Sequence, residues 1–450
     1  MEICNQIIDL DQINTVGVHN IKAEQLAMRD PPMVYPRGTT PFSLPTPRNF
    51  KIYVNAIEQG IEKIIERQDI QEPVLVRRMV TGEKSVWMSD LHGNRTIIKN
   101  SPINIDELRG NWRSVSNPTV CLVATARNEG PYILDWISYH ISIGFTKIVI
   151  FHNDVTDLML DVIDLFKCDG KVIHIENNEE IEDNEVSPEL MKNPQWRAYW
   201  LSLRMDSIRE CDYIMFMDID EYLVLKRHKS VNELVSEYGF LDAIGINWLC
   251  FGSSGMQDFR AEPVFERFLY GAERKWHYNG IVKSIGKIKS ISSLGGAHIC
   301  NLKPEHSIYT YTNGMPVSVG HNPEIIDHSV AQINHYKIMS PQDYLLRKLR
   351  GDVIVNKDTL ERRIKYNTGY YLMMDRNDEK YIEILDNISE FRKIKSDIMS
   401  SRYARQLMEK VEVFTKWLIA NHKHEIPSNI VDSVDRERKL IASKDFHKNE

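Results

Sequence analysis

The sequence predicts an α/β protein: a doubly wound, mainly parallel sheet flanked by helices, with a small N-terminal α+β region and a helical C-terminal module. Three observations carry this. Residues 118–225 alternate apolar runs with segments of helical spacing, the pattern of consecutive βα units. The first run, Thr119-Val120-Cys121-Leu122-Val123-Ala124, is almost wholly apolar, as a strand buried on both faces requires. Two of the runs end in polar, charged stretches, at the carboxyl edge where open α/β sheets bind ligands.

Taken in order, residues 1–113 form a separate N-terminal region. Six prolines between 31 and 47 mark a linker or wrapping loop. A helix is expected near 52–68, then short strands over 73–80 and 84–88 with a turn at Gly82. The sheet domain, 114–340, begins with the run at 119–124. A helix follows over 130–143, then a strand over 147–151, a helix over 155–167, a strand over 171–175, a helix over 195–209 and a strand over 212–217. Residues 341–450 form the C-terminal module, where Met408, Val411, Phe414, Trp417 and Leu418 fall on one helical face. Pro427 and the polar stretch after it read as a loose end.

Composition limits the function. The 450 residues carry 56 Lys+Arg against 63 Asp+Glu, a net charge of −7, which disfavours binding nucleic acid through phosphate neutralisation. Residues 341–450, with 22 Lys+Arg and 19 Asp+Glu, are +3, so the rest is −10. No apolar run approaches the roughly 18–20 residues that span a bilayer, and the amino terminus has no leader-like stretch. The six cysteines are scattered without a C-x-x-C pair and read as reduced. A cytoplasmic protein is expected.

The strand ends carry the chemistry. Thr125-Ala126-Arg127-Asn128-Glu129-Gly130-Pro131-Tyr132 suits either a plain turn into a helix or an anion site made of Arg127 and free backbone N–H groups. After the fourth strand comes Asp218-Ile219-Asp220-Glu221. Residues two apart on extended chain project to one side, so Asp218 and Asp220 converge either on a divalent cation that leaves positions open for a diphosphate or on solvent in an acidic turn. There is no P-loop, no G-x-G-x-x-G after a strand and no G-x-S-x-G elbow, which weakens ATPase, dehydrogenase and hydrolase readings. The acidic run 176–185 reads as a solvated loop.

With these residues assembled, the chain resembles the family 2-like glycosyltransferases of the GT-A fold. It is most similar to the branch with a combined R-N-E and D-x-D-E signature, related to family 92. The stretches that carry the resemblance are Ala126-Arg127-Asn128-Glu129 with Leu134–His140 and Gly144, Phe216–Tyr222, Trp248–Gly255, Val282–Ile285 and Asn334-His335-Tyr336-Lys337, in the expected order over about 118–350. The resemblance implies a hexosyltransferase-type enzyme moving a sugar from a nucleotide sugar, UDP-linked by preference, to a hydroxyl of a glycan or glycolipid acceptor in surface polysaccharide synthesis. It places Thr125, Arg127, Asn128, Glu129, Asn153, Asp154 and Asp218 near the nucleotide. It gives Asp218 and Asp220 to Mn²⁺ or Mg²⁺, with His335 as third ligand and His298 as the alternative. Trp248, Gly252, His298 and Lys337 fall on the acceptor side. Inversion would need a carboxylate at the acceptor hydroxyl, and Asp258 and Glu266 are the candidates. Relatives often show Asp-Asn then Ser after the second strand, whereas this chain has His152-Asn153-Asp154, which bears on the base. A sugar nucleotidyltransferase is the second enzyme reading and an inactive glycan-binding module the third. The seven Lys+Arg of 341–365 against four Asp+Glu allow peripheral contact with the inner face of the membrane, or a helical cap on the sheet.

Overall fold

The computed structural model describes residues 102–110, 116–177, 193–303, 306, 308–350, 367–386 and 388–447, and the strands before residue 102 named below. The chain divides into two compact units, 1–105 with 313–321 and 106–312 with 322–450. In the first unit, strands Gln6–Asp9, Phe50–Ile57 and Gly60–Arg67 form one antiparallel sheet, and Val74–Val80, Glu83–Ser89 and Arg95–Lys99 another. The helix expected near 52–68 is therefore an antiparallel hairpin, with Ile57 opposite Gly60. Phe50, Ile52, Val54 and Ala56 alternate with Lys51, Tyr53 and Asn55, and that period of two favours a strand. The proline-rich stretch and most of the acidic run lie outside the described residues.

The second unit is built on a nine-stranded mixed sheet. Its strands in chain order are β1 (Val120–Ala126), β2 (Lys147–His152), β3 (Val172–Glu176), β4 (Tyr213–Phe216), β5 (Glu221–Leu225), β6 (Ala243–Cys250), β7 (Val282–Lys287), β8 (Tyr309–Tyr311) and β9 (Ala331–His335). The spatial order is β5-β9-β6-β7-β4-β1-β2-β3, with β8 paired to β6 beside β9. From β4 to β3 every pairing is parallel, as the apolar runs predict. β7 runs antiparallel between β4 and β6, and β5 antiparallel to β9. Every residue of β1, β4, β5, β6 and β9 is buried, so the sheet is covered on both faces.

The helices follow the sheet. Helix α1 (Gly130–Ser142) starts with Pro131 in its first turn and buries Ile133, Leu134, Trp136, Ile137 and Tyr139. It stops at Gly144, whose φ of +96° leaves no room for a side chain: a Cβ would lie 2.4 Å from the Asn232 Oδ1. The helix expected over 155–167 is shorter, one α-turn at Met159–Ile163 continuing as 3₁₀ helix to Asp169. Its start is delayed because the Thr156 and Asp157 N–H groups donate to the Asn128 side chain. The segment 195–209 splits into α2 (Pro194–Ser202) and a turn at Asp206–Arg209.

The longer of the remaining helices are α3 (Pro341–Arg350), α4 (Ile388–Met399), α5 (Arg402–His422) and α6 (Ser428–His447). Two expectations are corrected here. The buried stripe of α5 is Ala404, Leu407, Val411, Thr415 and Ile419, while Phe414 and Trp417 are exposed and stack on each other at 6.1 Å. The stretch after Pro427 is not loose but helical, because Ile430, Val434 and Ile441 recur on one face and are buried, with Pro427 just ahead of the first turn. Among the described residues no helix is long and apolar enough to cross a membrane.

Helix α3 is anchored by a buried ion pair. Arg267 grips the Asp343 carboxylate with both terminal nitrogens, at 2.9 and 3.2 Å, and the Tyr132 hydroxyl donates to it at 2.9 Å. The two charged side chains are 3% and 0% exposed. Arg267→Ala would strand that carboxylate and should lower unfolding free energy by about 3–5 kcal/mol in urea titrations. Arg267→Met/Asp343→Leu should recover most of the loss. A single variant within about 1 kcal/mol of wild type would contradict this anchoring role.

Candidate active site

The turn after β4 places three carboxylates in four residues, and the surrounding elements bring a cation to each. The Asp218 N–H donates to Glu221 Oε2 at 2.9 Å and the Glu221 N–H to the Asp218 carbonyl at 3.1 Å, which folds the turn back on itself. Lys283, at the start of β7, reaches Asp218 Oδ2 at 3.3 Å and Glu221 Oε2 at 3.1 Å. The Gln195 side chain on α2 donates to Asp218 Oδ1 at 3.3 Å. Asp220 faces different partners: His335 Nε2 at 3.2 Å, from the end of β9, and the Arg347 guanidinium of α3. Asp220 immediately precedes Glu221, which lies opposite His335 in the β5–β9 pair, and its carbonyl accepts from the Tyr336 N–H at 2.9 Å.

Burial is opposed unevenly at these groups. Burial alone would raise the Asp220 carboxyl, but Arg347 and His335 outweigh it and hold it well below the usual range. Glu221 is pushed up to about 8 by burial, which Lys283 only partly offsets and the neighbouring Asp218 and Asp220 reinforce. Burial pulls Lys283 down, yet Asp218 and Glu221 overcome this and keep it above its ordinary value. His335 falls to about 4 through burial and is neutral at physiological pH. Its Nδ1 and Glu221 Oε1 are buried without a partner among the described residues.

Trp248 joins this group from β6. Its ring lies 4.0 Å from the His335 ring and 5.4 Å from that of His298, and Lys337 Nζ sits 5.6 Å from its centre. His298 bonds the Val282 carbonyl at 3.0 Å, and burial and Lys283 drive its pKa well below the ordinary value. Asp218, Asp220, Trp248, Lys283, His298, His335 and Lys337, spread over 120 positions of sequence, therefore share one neighbourhood. Gly252 lies at a backbone crossing: a Cβ there would stand 2.4 Å from the Arg376 carbonyl.

At the ends of β1 and β2 a second group forms. Arg127 Nη1 is 3.8 Å from Asp154 Oδ2, and the Asn153 side chain donates to Asp154 at 3.1 Å. Arg127 Nε is buried without a partner among the described residues. Asn128, at φ +51°, accepts from the Thr156 N–H at 2.7 Å and donates to its hydroxyl at 2.9 Å, so it clamps two loops. Thr125, in β1 beside Phe151, is buried. Glu129 precedes α1 and pairs with Arg350 of α3.

A cavity opens between the start of α1, the Asp220 turn, α3 and α5, bordered by Glu129, Tyr132, Asp220, Arg347, Arg350 and Phe414. Asp258 and Glu266 are not among its lining residues. Asp258 is exposed and accepts from Gln342 at 2.7 Å, and Glu266 pairs with Arg392 at 3.0 Å. Sequence reasoning missed Arg347, Arg350 and Gln195 as site residues. The signal for the first two was the i, i+3 arginine pair following the Asn334–Lys337 stretch. Arg347, Lys348 and Arg350 pair with Asp220, Glu425 and Glu129, so these three cations of the basic stretch are spent within the unit.

The donor types around Asp220 suit a hard divalent ion: carboxylate oxygens and an imidazole. As the side chains stand, no trio of His, Cys, Asp or Glu among the described residues closes on one point, because Lys283 and Arg347 hold the oxygens that such an ion would take.

The raised pKa of Glu221 has a consequence for stability. Its stabilising contribution is complete below the ordinary carboxyl value of 4.5 and is lost as pH rises through about 8, because the folded chain holds a proton that the unfolded chain has released. Glu221→Gln should therefore gain stability relative to wild type between pH 5 and pH 8 in denaturant titrations. A difference that stays flat over that range would contradict the burial of this carboxyl.

Comparison with known proteins gives the family. The family model for glycosyltransferase family 92 matches residues 117–392. Two curated relatives, glycosyltransferase family 92 proteins of Arabidopsis thaliana and Ricinus communis, are each 23% identical over 229 residues, covering 48% of this chain and 35% of the relative. The chain thus spans about a third of the length of the curated relatives it matches. Among solved structures, S. aureus TarS 1–349 is 12% identical with a TM-score of 0.26, covering 72% of this chain and 92% of that one. The galactosyltransferase LgtC is 15% identical with a TM-score of 0.20, covering 38% and 58%. With a family model spanning well over half its residues, including the whole strand-end cluster, the chain belongs to glycosyltransferase family 92.

Proposed function

We propose that this chain transfers a sugar from a nucleotide sugar, UDP-linked by preference, to a hydroxyl of a glycan acceptor, in the synthesis of a surface polysaccharide or a related glycan. The observation that supports this most is that Asp218 with Lys283, and Asp220 with His335 and Trp248, form adjoining contacts about one turn at the carboxyl edge of the sheet, in a chain of family 92. Arg127, Asn153 and Asp154 line the neighbouring strand ends and are the groups we assign to the nucleotide. Asn128 acts on that site by holding its two loops together.

Asp218, Asp220 and His335 are the residues that would hold Mn²⁺ or Mg²⁺, which when bound supplies Lewis-acid neutralisation of the departing diphosphate. Lys283, buried and kept charged by Asp218 and Glu221, fixes the Asp218 carboxylate in place. Trp248, buried against His335 with Lys337 beside its ring, is the residue we assign to backing the acceptor side.

The test is turnover of a nucleotide-sugar panel with and without Mn²⁺, with Asp218→Asn as control. We expect metal-dependent release of nucleoside diphosphate and a loss of roughly 100-fold or more in the variant. Donor binding without turnover across the whole panel would instead favour a glycan-binding module.

A further inference from the structure

Helix α3 sends two arginines, one turn apart, onto two carboxylates of the site: Arg347 to Asp220 and Arg350 to Glu129. Both arginine side chains are mostly buried, at 13% and 14% exposure, and both border the cavity that Asp220 closes. Arg347 also donates to the Lys337 carbonyl, on the strand end next to His335. We propose that Arg347 is the cation that binds the donor's diphosphate, held in reserve on Asp220 while no donor is bound. This rests on the glycosyltransferase reading above.

Three observations favour this over a purely structural ion pair. First, α3 does not need Arg347 to stay in place: Arg267 with Tyr132 grips Asp343, and Lys348 reaches Glu425 at 3.0 Å. Second, Asp220 is doubly served. Its Oδ2 contacts both Arg347 and His335, so the guanidinium is not the carboxylate's sole partner. Third, Lys283 is already shared between Asp218 and Glu221, so Arg347 is the cation that an ion on Asp220 would release from that carboxylate, and a diphosphate arriving with the ion brings negative charge within its reach. The guanidinium fork matches phosphate oxygens two at a time, and its long stem allows the short swing from one anion to the next.

The two affinities involved should move in opposite directions, which a merely structural role would not produce. Calorimetric titrations of the full chain with Mn²⁺ alone, and with UDP in saturating Mn²⁺, compare wild type with Arg347→Gln. We expect the variant to bind UDP roughly 10-fold or more weakly, having lost a charge-assisted contact, and to bind Mn²⁺ alone several-fold more tightly, since Asp220 no longer has to be freed. Unchanged UDP affinity, unchanged Mn²⁺ affinity, or a parallel loss of both would each overturn the proposal. Should Arg347→Gln lose its thermal transition, Arg347→Lys carries the test: it keeps the charge but not the fork, and about 3-fold weaker UDP binding is expected, with wild-type affinity overturning the assignment. A wild-type chain that binds none of UDP, GDP, ADP and CDP would remove the glycosyltransferase reading itself, and this inference with it.

Discussion

Three carboxyl groups sit within four residues at a buried sheet edge, and the second unit brings a cation to each, although Lys283 only partly offsets the burial of Glu221. Asp218 and Glu221 share Lys283, while Asp220 has His335 and Arg347. Taking one such charge out of water without a partner costs several kcal/mol, a large fraction of the ~5–15 kcal/mol by which domains are stable. The partners come from β7, β9 and α3, elements 62 to 127 positions away. Insertion of antiparallel β7 beside β4, and of β9 against β5, is what delivers two of them.

The same neutralisation makes the site responsive. Lys283 is fully buried and keeps its charge because two carboxylates face it, so it belongs to the scaffold. Arg347 lies at the rim of a cavity and on a helix with other anchors, so its bond to Asp220 is exchangeable. One acidic turn thus has a permanent counter-charge on one side and a replaceable one on the other, which is the electrostatic condition for admitting a charged donor without paying for bare carboxylates in its absence.

Much of this was legible in the sequence because it is local. The βα alternation over 118–217 and the Asp218-x-Asp220 spacing were readable from apolar runs and their polar ends, and the ordered motifs around Trp248, Lys283, His298 and His335 were readable as a set. What was not legible depends on long-range packing. Arg347 and Arg350 look like a basic helical face until α3 is docked, when their partners prove to be Asp220 and Glu129. On α5, Met408, Val411, Phe414 and Leu418 form as good a 3.6-residue stripe as Leu407, Val411, Thr415 and Ile419, and only the neighbouring helices decide which is covered. The 50–67 hairpin was masked by apolar residues that fit both periods, and α6 by a proline that begins a helix as readily as it ends one.

The most direct test is a crystal structure of the chain with UDP and Mn²⁺. It should show the diphosphate between the Asp218–Asp220 turn and α3, a metal on Asp220, and the Arg347 guanidinium moved from that carboxylate to a phosphate oxygen. A nucleotide bound at this edge with the Arg347–Asp220 pair intact, or bound elsewhere on the molecule, would contradict the account.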